Sequence, residues 1–235
     1  MLRGTFPTVA PGTLYVRPSR RILGAEFGRE ELRHVAFACA ALTLIFAGAF
    51  ARGAGASLGS LGAAFLYFLP LAAMASAPAF FLAMVFQKRI ALKEGCTTEF
   101  RIQPQWLIVS VLFAFLLGFV FAAPGSTTRF GNITRAGAGK MSAAVPLCYV
   151  GVGFAAILAM AATAQPGTGL LVSNGPVSVL GILIAQVCAL LAAFSLIPVP
   201  GFPGADIWRW SKAYFVVIIF GVFALYVASH GLALV

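Results

Sequence analysis

Four long stretches of this chain contain no Asp, Glu, Lys or Arg: residues 53–87, 102–128, 141–205 and 213–235. A helix needs about 20 consecutive apolar residues to cross a bilayer, and each stretch has room for at least one crossing. Charged residues make up only 9% of the 235 and the mean hydropathy is +0.98, whereas a soluble domain is about 25% charged. These features exclude a water-soluble globule and a disordered chain. Lys and Arg outnumber acids 16 to 6. The bases fall in the gaps between apolar runs, where they orient a membrane protein, and do not form a nucleic-acid-binding face.

The chain divides into an N-terminal tail, residues 1–33, and a transmembrane domain, residues 34–235. The tail is polar, carries six arginines, reads as lying on the cytoplasmic membrane surface, and lacks the apolar core of a signal peptide. Apolar runs follow at about 34–51, 61–87, 104–123, 142–164, 177–197 and 213–234. Pro70 and Pro78 predict a kink in the second run. Gly55 and Gly59, in the link before it, have a spacing that aids close helix packing or makes a flexible loop. Residues 88–103 read as a polar link. The Gly-, Ser- and Thr-rich stretch after residue 123 predicts a short extended segment. Residues 165–176 read as a neutral turn. Residues 206–212, with Trp208 and Trp210, suit the headgroup level.

Basic residues also bear on topology. If all six runs cross, the two sides hold 10 and 6 bases; if 104–123 enters and returns on one side, they hold 15 and 1, the single one being Arg52. The positive-inside rule favours the second arrangement: an all-α polytopic bundle of five to six transmembrane helices with a re-entrant or short extended segment, its N-terminus cytoplasmic. A re-entrant segment is allowed where protein covers its backbone.

The polar inventory is thin. The two histidines, His34 and His230, are too far apart in sequence for the helical zinc motif HExxH. The four cysteines form no CxxC pair, and three lie in apolar runs as small hydrophobes. The stretch GAGKMS at 137–142 fails as a phosphate loop, because Thr134 stands where a Gly is needed and Met141 where a Ser or Thr is needed. Asp206, the one acid beyond residue 99, is expected to pair with Arg209 or Lys212. Gln87 and Gln186 are expected to bond across helices.

Four segments stand in a telling order: AEFGREELRHVAFACAALTLIFAGA, EGCTTEFRIQPQWL, FGNITRAGAGKMSAAVPL after FVFAAPG, and FSLIPVPGFPGADIWRWSK. In that order the chain resembles the site-2 protease family of intramembrane zinc metalloproteases, in the form found in archaea. That resemblance implies a helical membrane bundle with two zinc histidines and a glutamate base on the second span and a zinc aspartate near residue 203. Carried onto this sequence, the histidines fall on Ala83 and Gln87, the base on Met84, the aspartate on Pro203, and a family Asn on Tyr149. Asp206 lies three residues late. A carbon side chain offers a metal no lone pair, so the matching positions describe a pseudoprotease with no metal, no cofactor and no catalytic residues.

The expected function is thus that of a catalytically inactive membrane protein. Its partners are the bilayer and another membrane protein or transmembrane helix, with no nucleic acid. Two alternatives stand beside it. One is an active intramembrane metalloendopeptidase with a non-standard site, for instance Asp206 with His230. The other is a small transporter, which needs polar groups along a path at mid-membrane.

Overall fold

The computed structural model describes residues 20–57, 59–118, 120, 121, 125–163 and 176–231. Of the turn expected over residues 165–176, all but Pro176, where α5 begins, lies outside them, as does most of the N-terminal tail. A hairpin of β1 (Arg20–Ile22) and β2 (Ala25–Phe27) leads into α1 (Arg29–Gly53). Leu23 and Gly24 both have positive φ, 49° and 77°, as the two-residue turn of a tight hairpin requires. Then come α2 (Leu61–Lys93), β3 (Thr97–Ile102), α3 (Pro104–Leu117), β4 (Gly125–Phe130), α4 (Arg135–Thr163), α5 (Pro176–Ser195), α6 (Pro203–Trp210) and α7 (Lys212–Gly231). Among the described residues, α1, α2, α4, α5 and α7 are long and apolar enough to cross a bilayer.

Alanines and a few larger side chains form the core: Ala38, Ala72, Ala75, Ala79, Ala83, Ala185, Ala189 and Ala192 are buried, with Leu42, Phe46 and Leu225 between them. Leu66, Val217, Phe220 and Phe223 point outward. Small residues inside and large apolar ones outside suit helices packed in lipid, where close backbone approach replaces the hydrophobic effect as the force between them.

The path around α3 settles how residues 104–123 sit. The Ile102 N–H reaches His34 Nδ1 at 3.4 Å, beside the beginning of α1. At the other end, Arg52 donates to the Leu116 carbonyl at 3.4 Å and to Ala56 at 3.1 Å, beside the end of α1. So α3 runs alongside α1 in the same direction, and its 14 residues rise about 21 Å. It stops at Gly118, whose left-handed φ of 66° returns its N–H to Ala114. Yet Gly125 is the register partner of Ile102 in the antiparallel β3–β4 pair. The chain that leaves the sheet at residue 102 is back beside it at 125, so the segment enters and returns. Five crossings and one embedded excursion put β3, β4, α6 and the described acids at one end of the bundle, here the sheet end. Of the described Lys and Arg residues, Arg52 alone sits at the far end.

Several expectations need correction. Residues 88–103 are not a loose link: α2 continues to Lys93, and β3 follows. Gly55 has a positive φ and open space where a Cβ would stand, so it makes a turn and no close helix contact. The last residues before 34 are also folded. Phe27 is buried and stacks on Phe81 of α2, ring centroids 5.8 Å apart. Beside it Lys88 Nζ donates to the Glu31 carboxylate (2.8 Å), the Glu26 carbonyl (2.8 Å) and the Thr98 carbonyl (2.5 Å). Glu31 also accepts the Phe100 N–H at 2.8 Å. All three ammonium protons and the carboxylate have partners, as burial of both charges demands.

Candidate functional site

The sheet end contains a cavity of about 510 Å³ bounded by α2, β3, β4, α4, α5 and α6. The last apolar turns of α2 contribute Met84 and Gln87, and β4 contributes Gly125 to Arg129. The first turns of α4 bring Ser142, Val145 and Tyr149; α6 and the loop before it bring Pro203, Asp206 and Arg209. Of the four positions matched to the family's zinc ligands and base, Met84, Gln87 and Pro203 thus line one cavity although more than a hundred residues separate α2 from α6. Ala83, one helical turn before Gln87, is fully buried in the core and is not part of the lining.

Glycines hold the walls together. A Cβ on Gly139 would overlap the Trp210 side chain, and one on Gly204 the Leu196 backbone. The Gly139–Lys140 pair therefore serves the contact of α4 with α6. Lys140 itself reaches across to Glu94 at 3.1 Å, tying the start of α4 to the end of α2. Trp210 stacks on Tyr214, ring centroids 4.8 Å apart, and fixes α6 against α7.

Asp206 does lie in an ion pair, but with neither Arg209 nor Lys212. Its Oδ2 accepts from Arg129 on β4 and from the Ser142 hydroxyl at 3.0 Å, and Arg129 also reaches Ser142 at 3.3 Å. Arg209 is exposed at the rim. Gln87 is buried, and its Oε1 accepts from the Thr127 hydroxyl at 3.3 Å; the partner is on a strand, not on another helix as expected. Gln186 makes no side-chain hydrogen bond among the described residues. Outside the membrane-spanning segments, Cys96 lies buried at the base of β3. Burial pushes its thiol above the ordinary value, Arg129 opposes that shift and Glu94 adds to it, so the neutral thiol dominates.

The donor set can be tested against zinc. A hydrolytic zinc takes three protein ligands and keeps one position open. Ala83 and Pro203 have no side-chain lone pair, Met84 offers a weak thioether, Gln87 a neutral amide, and the Asp206 carboxylate is engaged by Arg129. Among the described residues, no three of His, Cys, Asp and Glu come together. The residues present do not fit the metal. Nor does the structure bring Asp206 and His230 together. Asp206 lies before the start of α7 and His230 at its far end, where its ring packs on Tyr226; 18 residues of intervening helix are about 27 Å.

Sequence reasoning missed Arg129, Ser142 and Thr127, because the pairing of β4 with a strand in the supposed polar link is what carries them to the site. The alternation in 125–130 was the available signal.

Comparison with known proteins gives one match. The protein named "Putative zinc metalloprotease MJ0611", from Methanocaldococcus jannaschii, is 26% identical over 135 residues, covering 57% of this chain and 66% of that relative's length. The match thus spans just under two thirds of the relative. No family model matches, and no solved structure does.

Proposed function

We propose that this chain is a non-proteolytic, site-2-protease-like membrane protein whose cavity receives an unwound segment of a membrane partner, as a regulatory or structural subunit. One observation carries the reading. Three of the four positions matched to the family's zinc ligands and base line one cavity, yet they hold Met84, Gln87 and Pro203, and the nearby carboxylate is paired with Arg129. The similarity to the protein named "Putative zinc metalloprotease MJ0611" supports the ancestry. Loss of polar ligands inside a bilayer is tolerated well, because apolar replacements are favoured there. On the positive-inside rule the sheet end and the N-terminus face the cytoplasm of a multi-pass cell-membrane protein.

The partner segment is expected to be locally extended. The cavity lies next to β4, a strand of the two-stranded β3–β4 sheet, and strands beside a binding site can pair with extended chain. Elemental analysis of the purified full chain tests the reading: zinc well below one per chain is expected. One tightly held zinc per chain, with cleavage of a transmembrane substrate, overturns it.

A further inference from the structure

Two buried polar groups in the cavity have unused hydrogen-bonding capacity. Gln87 and Tyr149 are each 3% exposed, and both line the cavity. Gln87 spends its oxygen on Thr127; its amide nitrogen makes no hydrogen bond among the described residues, and neither does the Tyr149 hydroxyl. Neither atom is sealed off, since among the described residues the one fully enclosed side-chain polar atom without a partner is the Thr98 hydroxyl. Buried donors are almost always satisfied in native proteins, and an unmade bond is expensive. From these two groups we infer that the cavity is a binding site for a neutral carbonyl group on an apolar body, held by the Gln87 amide N–H and the Tyr149 O–H.

The surroundings select this chemistry. Inside the cavity Arg129 and Asp206 cancel each other, so neither an anion nor a cation gains a free counter-charge; Arg209, the remaining cation of the lining, sits exposed at the rim. Phe80, Met84, Phe100, Val145 and Leu191 make much of the wall apolar, beside the smaller polar side chains of Ser126, Thr128 and Ser195. An apolar chamber with a few convergent donors is the usual design of a site for a small neutral molecule, and about 510 Å³ lies within the usual range of ~300–1,000 Å³. The inference rests on the proposed function for its natural occupant: the main-chain carbonyl of an unwound partner segment, whose lost helical bond these donors replace. The site itself is testable without the partner.

Fluorenone and fluorene share one rigid shape and differ in the carbonyl. Benzophenone photolabelling of the purified full chain, mapped by mass spectrometry, reports occupancy of the cavity wall, and the two compounds are compared as competitors. Fluorenone is expected to suppress labelling at about tenfold lower concentration than fluorene, the scale of one net hydrogen bond. Tyr149→Phe and Gln87→Leu should each shrink that preference several-fold. The Phe variant keeps the ring and its packing, and the wild-type comparison needs no variant at all. Equal competition by the two compounds, a preference that survives both substitutions, or no labelling of the cavity wall overturns the site. A carbonyl preference in a chain that then proves to bind zinc and cleave substrates leaves the site standing and removes the non-proteolytic reading alone.

Discussion

At the scale of single residues, the buried Lys88–Glu31 pair shows the rule for charge: it is kept inside only with its partners. Lys88 and Glu31 are 8% and 2% exposed in their side chains, and together they join the β1–β2 hairpin, α1, α2 and β3. Removing one partner strands the other charge, which in comparable buried pairs is destabilising by about 3–5 kcal/mol. Lys88→Met is therefore expected to unfold at markedly lower denaturing-detergent concentration than the wild type. Adding Glu31→Gln, which keeps an acceptor for the Phe100 N–H, should recover most of the loss. Additive losses in the double variant would show that the pair does not act as a unit. At the cavity, the family resemblance singled out Met84, Gln87 and Pro203, and the structure brings these three into one lining. The partner of Asp206 was not legible in the sequence. The nearest bases in sequence are Arg209 on its own helix and Lys212 at the start of α7, and only the strand register delivers Arg129 from 77 residues away.

At the scale of elements, the contact between α4 and α6 positions one wall of the cavity. It depends on Gly139, where the Trp210 side chain occupies the space a Cβ would need. Gly139→Ala should destabilise the chain by about 1–3 kcal/mol through overpacking, and Trp210→Ala, by vacating that space, should relieve part of the loss in the double variant. Independent effects of the two changes, measured by thermal unfolding in detergent, would mean the contact is not what sets the spacing. The helices themselves were legible, because runs of about 20 apolar residues leave little choice in a bilayer. Their ends were less so. The charges that seemed to close the second span at Lys88 stay helical to Lys93, since a helix end can leave the membrane without unwinding. Strand β3 escaped notice because its sequence, TTEFRI, alternates among charged residues that read as a link.

At the scale of the whole molecule, charge and chain path give the same division of the bundle. The register pairing of Ile102 with Gly125 returns the chain to the sheet end, and that return leaves Arg52 alone among the described bases at the other. Arg52 is also spent on carbonyls at the end of α3 and in the loop after α1, so it satisfies backbone groups that lipid would leave bare. The base count was legible as a preference; the path was not, because 104–123 is apolar enough to cross and only a long-range strand pair shows that it returns. The division predicts accessibility. In a background with Cys39, Cys96, Cys148 and Cys188 replaced, single cysteines at Gly55 and Gly118 should react with a membrane-impermeant maleimide added outside intact cells. Cysteines at Thr128 and Lys212 should react only after the membrane is opened. Labelling of Gly55 with protection of Gly118 would mean that α3 stops short of the far surface; outside labelling of Thr128 would place the sheet, and the cavity beside it, on the side opposite to the one the positive charges select.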